Sequence, residues 1–143
     1  MQFKNGDIYE GSWVDGQFEG QGLYLYSKNQ ALLEESPTFS QFRGIYKEGR
    51  RLEGELRYEN GDIYYGTFNE EGMKECGVQK YENGDEYSGE FKEGARSHGV
   101  MKFKSGEEYS GEWKNGLFHG SGKINYENGI VYKGEFQNGN KHG

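Results

Sequence analysis

The chain has 143 residues; 31% are hydrophobic, 16% are aromatic, 25 are glycine, one is proline, and the net charge is −7. A mean hydropathy of −1.10 leaves too little aliphatic material for an ordinary two-layer core. The acidic balance argues against nucleic acid, where affinity comes from cations on phosphates, and against a bare electrostatic grip on an anionic membrane.

No basic block overrides that average: Arg50-Arg51 is flanked by Glu48 and Glu53. A Gly-rich polar chain of this kind is open to disorder. Here the rings are abundant and recur in register, and each ring buries a large area.

The chain opens on Gln2-Phe3-Lys4, read as the end of a strand, and lacks the apolar run of a signal peptide. A phrase of aromatic, any residue, glycine, any residue, aromatic then begins at Tyr9-Glu10-Gly11-Ser12-Trp13. It returns at Phe42–Tyr46, Tyr64–Phe68, Tyr87–Phe91, Tyr109–Trp113 and Tyr132–Phe136, with starts 33, 22, 23, 22 and 23 residues apart. A fixed period of this size means one small unit stacked on copies of itself.

Each unit carries two turn signals. One follows the phrase (Asp15-Gly16, Glu48-Gly49, Glu71-Gly72, Glu93-Gly94, Asn115-Gly116, Asn138-Gly139). The other precedes it (Asn5-Gly6, Asn60-Gly61, Asn83-Gly84, Ser105-Gly106, Asn128-Gly129). Both are expected to close as tight primed turns with positive φ at two positions. Two turns per period leave two strands, and short loops make neighbours antiparallel.

The strands alternate. Tyr109, Gly111 and Trp113 share one face with Gly120, Gly122, Ile124 and Tyr126. The position of Tyr126 gives a second aromatic stripe with Tyr26, Tyr58, Tyr81 and Phe103. Mid-strand glycine is normally costly; on the aromatic face it lets a neighbouring ring lie on the backbone.

The expected fold is all-β: one array over 1–143, an elongated single-layer antiparallel meander of about six tandem hairpins. Its repeats start near residues 7, 40, 62, 85, 107 and 130. Strand spacing makes it a curved, twisted rod of roughly 55 Å. Residues 27–38, with Pro37 and an Ala31–Glu35 stretch able to form a helical turn, read as an insertion loop between repeats one and two. Repeats two and four keep only one glycine of a Gly-X-Gly pair (Gly54, Gly99), so their hairpins are expected to bend differently. Both ends of the array are expected to offer open strand edges, and edges recruit strands.

No catalytic constellation emerges. His98, His119 and His142 recur one repeat apart, which places them about 10 Å from each other, too far for one zinc. They read as consensus positions, and no metal or cofactor is expected. The carboxylates read as a solvated face. Cys76 is the single cysteine, which suits a reducing compartment, and no base stands beside it in the sequence. The glycines read as turn and packing residues rather than a phosphate loop.

The unit Tyr-X-Gly-X-Trp-X-X-Gly-X-X-X-Gly-X-Gly, complete at Tyr9–Gly22 and Tyr109–Gly122, closely resembles the MORN repeat (membrane occupation and recognition nexus). The resemblance covers the chain outside 27–38. Choline-binding repeats mix the same residues near this period but place an aromatic pair after the tryptophan. The MORN resemblance implies a hairpin array and a non-enzymatic scaffold or adaptor, cytoplasmic and in a cytoskeletal or ciliary setting such as the radial spoke of an axoneme. It also implies protein partners: a helical segment in a groove, or neighbouring chains at the sheet ends.

The expected partner-binding residues are the phrase rings Tyr9, Trp13, Tyr64, Phe68, Tyr87, Phe91, Tyr109, Trp113, Tyr132 and Phe136. The alternatives are a membrane or phosphoinositide tether, and a regulatory segment detached from an enzyme such as a lipid kinase.

Overall fold

The computed structural model describes residues 1–27 and 39–142. Among them there is no helix, and twelve strands follow one another in chain order. They belong to two compact units, Met1–Gly72 and Met73–Gly143.

The first unit contains β1 (Ile8–Val14), β2 (Gln17–Leu25), β3 (Phe39–Lys47), β4 (Arg50–Tyr58) and β5 (Ile63–Phe68), each antiparallel to its predecessor. The second contains β6 (Lys74–Lys80), β7 (Glu86–Lys92), β8 (Ala95–Lys102), β9 (Glu108–Lys114), β10 (Leu117–Asn125), β11 (Val131–Gln137) and β12 (Asn140–His142), again antiparallel throughout. The expected meander of hairpins is the fold within each unit. The strand expected at Gln2–Lys4 is reduced to a bridge from Gln2 to Ile8, where Met1 and Tyr9 exchange two backbone bonds of 2.8 Å. Apart from Ser27, the insertion with Pro37 and Ala31–Glu35 lies outside the described residues.

The two turn signals close differently, and the expectation of primed turns holds for one class only. After the phrase, Asp15 (φ 51°) and Gly16 (φ 78°) both take positive φ, as do Glu48-Gly49, Glu93-Gly94, Asn115-Gly116 and Asn138-Gly139. These are two-residue primed turns. Before the phrase, only glycine has positive φ. Gly61 N–H donates to Tyr58 O (3.2 Å), and Tyr58 N–H donates to Asp62 O (2.9 Å), which makes a longer loop. The asparagine selects it. Asn60 Oδ1 accepts from Asp62 N at 2.9 Å, and Asn5, Asn83 and Asn128 do the same two residues on. That side-chain bond replaces the second positive φ. Glu71 departs from its class as well: its N–H donates to Asn69 Oδ1 and only Gly72 is left-handed.

The glycines of the phrase and of the second strand face each other in register. The rows are Gly11, Gly22, Gly44, Gly54, Gly66 in the first unit and Gly77, Gly89, Gly99, Gly111, Gly122, Gly134 in the second. Beside this row the second strand bulges. In β10, Gly120 and Ser121 have no partner on β9, whereas in β4 and β8 only Leu52 and Ser97 are extra. This accounts for the shorter period of repeats two and four relative to repeat five, and a bulge bends the strand that carries it.

Candidate partner-binding face

Each phrase builds one core element. The first ring lies along the glycine row, and its hydroxyl donates to the carbonyl three residues on. Tyr9 bonds Ser12 O (2.9 Å), Tyr64 bonds Thr67 O (2.7 Å), Tyr87 bonds Glu90 O (2.7 Å) and Tyr109 bonds Glu112 O (2.7 Å). The glycines make room: a Cβ at Gly122 would stand 2.5 Å from the Tyr109 hydroxyl. The last ring of the phrase meets the first edge-on. Tyr109–Trp113 centroids are 5.0 Å apart at 84°, and Tyr87–Phe91 are 5.1 Å apart at 76°. Such pairs contribute about 0.5–1.5 kcal/mol beyond their burial.

A lid closes each element from two residues past the turn glycine. In two repeats the lid is aromatic: Phe18 stacks on Tyr9 and Phe118 on Tyr109, both at 3.9 Å. In the others it is a cation. Arg51 lies 4.9 Å from the Phe68 ring, Lys74 4.8 Å from Phe91, Arg96 4.5 Å from Trp113 and Lys141 4.7 Å from Tyr132. The arginines also tie hairpins together. Arg51 donates to Tyr26 Oη (3.1 Å) and Gly72 O (3.0 Å), and Arg96 donates to Tyr81 Oη (3.0 Å) and Gly116 O (3.2 Å).

The expected contact rings therefore lie mostly inside. Tyr9, Tyr64, Phe68, Tyr87, Phe91, Tyr109, Trp113 and Phe136 are buried, Tyr132 is half-buried, and Trp13 is 41% exposed. Phe42 and Tyr46, outside that set, form the same buried edge-on pair. Besides Trp13, Tyr132 and the 65% exposed Tyr65, rings partly open to solvent include the lids Phe18 and Phe118 and the second stripe, Tyr26, Tyr58, Tyr81, Phe103 and Tyr126, all half-buried.

Phe18 and Tyr26 line a groove in the first unit, and Phe103 and Phe118 one in the second. A groove of about 350 Å³ in the first unit includes Phe18, Tyr24, Tyr26, Arg50 and Arg51; one of about 320 Å³ in the second includes Phe103, Trp113, Leu117, Phe118 and Arg96. Trp113 Nε1 is buried in the second unit without a hydrogen-bond acceptor.

The electrostatics on this face are those of phenols taken out of water. Burial, reinforced by the bond to Asp7, raises the Tyr24 pKa; burial raises those of Tyr46, Tyr9 and Tyr109, and pushes Tyr87 up to about 12 against weaker opposing hydrogen bonds and Arg96. Asp7 is itself buried, accepting from Tyr24 Oη (2.7 Å), Ser27 N (2.6 Å) and Asn5 Nδ2 (3.1 Å). Among the described residues, no three His, Cys, Asp or Glu side chains cluster to hold a metal, and no helix is long and apolar enough to cross a membrane. His98 and His119 both face Glu112 across neighbouring strands, and Cys76 is exposed.

Hairpins locked by a ring on a glycine row, capped by a lid and repeated at a fixed period, define a tandem β-hairpin repeat module. The MORN repeat model matches residues 9–30, 87–108, 109–131 and 132–143, more than half of the chain, and the chain belongs to the MORN repeat family. The β3–β4 hairpin lies outside the matched spans yet keeps the same edge-on pair and glycine register. Membership points to a repeat scaffold or a membrane-binding module. No curated protein matches the chain.

Proposed function

We propose that the chain is a non-enzymatic scaffold or adaptor that holds protein partners on its aromatic face, within a cytoskeletal or ciliary assembly such as an axonemal radial spoke. The observation that carries this reading is the division of the rings. Most of the phrase rings are consumed by the core, while Tyr26 and Phe103 of the second stripe and the lids Phe18 and Phe118 stay half-open along grooves that none of the described residues covers. A partner segment laid there buries the open rings, and helix-in-groove recognition uses such surfaces. The axonemal setting rests on the family resemblance.

The test is capture of partners from ciliated cells with the wild-type chain and with Leu117→Asp, which adds a charge at a 46% exposed groove residue, alongside imaging of the tagged protein. A specific partner lost in the variant, with axonemal localisation, is the expected result. Equal capture by both chains would refute the groove, and diffuse signal would refute the setting. Recruitment to anionic vesicles that weakens with added salt would favour the membrane alternative instead.

A further inference from the structure

The face opposite the rings in the second unit carries a row of residues in register across six strands: Val78, Ser88, Val100, Ser110, Lys123 and Lys133. Four are neutral. The last two are lysines directly opposite each other in the β10–β11 register, a like-charge pairing that destabilises an antiparallel pair. Neither lysine has an ion-pair or hydrogen-bond partner among the described residues, and both are exposed. They stand on one side of a trough of about 570 Å³ floored by Gly111, Gly122 and Gly134. The carboxylate of Glu135 lines the same trough and accepts from the Ser121 hydroxyl at 3.0 Å, but it forms no ion pair with either lysine.

We propose that Lys123 and Lys133 form an anion-holding site in this trough that grips an acidic peptide segment of a partner protein. An anion seated between the two ammonium groups reduces their repulsion, which no ion pair among the described residues offsets. The second unit balances ten Lys/Arg against eleven Asp/Glu, while the first sets seven against thirteen, so an acidic segment meets least repulsion here. A peptide suits the trough better than a flat anionic membrane. Glu90 and Glu112 are exposed on the same face outside the trough, so a narrow segment meets only Glu135 of the three, whereas a membrane surface would press against all of them. The site lies on the other face from the aromatic groove, so two partners can be held at once.

The test uses the full chain with an oligoglutamate peptide as probe, followed by amide NMR, and the double variant Lys123→Val/Lys133→Ser. Each substitution copies what the chain itself carries at an equivalent place, Val100 and Ser110. The expected result is a set of shifts confined to Ser110, Ser121, Lys123, Lys133 and their neighbours. Binding should weaken at least about tenfold in the double variant, with an equal or higher melting temperature, since the repulsion is gone. Four results would overturn the proposal: no binding of the probe, equal binding by the double variant, a lower melting temperature, or tighter lysine-dependent binding to phosphatidylserine vesicles than to the peptide.

Discussion

Substituting Gly122 by alanine probes the ring-on-glycine lock with a single methyl group. Its φ lies outside the left-handed region, so the backbone accepts alanine; in an ordinary strand the change would gain about 0.5–1 kcal/mol. Here the new Cβ would stand 2.5 Å from the Tyr109 hydroxyl, 2.6 Å from Cε2 and 2.8 Å from Cζ. The ring has nowhere to go: Phe118 stacks on it at 3.9 Å, and Trp113 and Phe136 meet it edge-on at 5.0 and 5.3 Å. Overpacking costs about 1–3 kcal/mol. Displacing the hydroxyl from Glu112 O adds roughly 0.5–1.5 kcal/mol. The net is about 0.5–4 kcal/mol, centred near 2, which for a unit of this size is a melting shift of roughly 8–16 °C at the centre. The assay is thermal unfolding in a Trp13→Phe background, which leaves Trp113 as the reporter of the second unit. Tyr109→Phe should not rescue the variant, because the Cε2 and Cζ contacts remain. A neutral or stabilised Gly122→Ala protein would refute the lock.

Three further outcomes are expected. Arg96→Ala loses two hydrogen bonds and the cation over Trp113, at a cost of about 1–3 kcal/mol. Arg96→Lys, the residue type used at positions 74 and 141, should retain part of that, and equal melting of all three chains would deny the lid a role. Asp7→Ala removes the acceptor shared by the half-buried Tyr24 phenol and the Ser27 N–H, so urea unfolding of the first unit should show a loss of about 1–3 kcal/mol; a loss within experimental error would contradict it. Alkali should unfold the chain in a defined window. Burial pushes Tyr87 up to about 12 from its ordinary 10.0, so its contribution is complete below pH 10 and lost as pH rises towards 12. Tyrosinate absorbance and circular dichroism should change together, and full phenol ionisation without unfolding would refute the burial.

The period, the strand alternation and the hairpin connectivity were legible because glycine and the rings recur at fixed offsets. What stayed hidden has physical causes. Alternation assigns a face but not a depth, so Tyr9 at 1% exposure and half-exposed Tyr26 read alike in the sequence. Asn-Gly closes two kinds of turn, and the choice lies in whether the asparagine side chain bonds the N–H two residues on. The lids escaped because Phe18, Arg51, Lys74, Arg96, Phe118 and Lys141 share no residue type. Their constant offset, two past the turn glycine, was the available signal. The Lys123–Lys133 pairing needs the β10–β11 register, which a ten-residue separation does not supply by itself.

The division between consumed and open rings is tested most directly by tyrosine nitration of the folded chain, mapped by peptide mass spectrometry. The account predicts modification at Tyr58, Tyr65 and Tyr126, with Tyr9, Tyr64, Tyr87 and Tyr109 protected until the chain unfolds. Comparable modification of both groups in the native chain would contradict it.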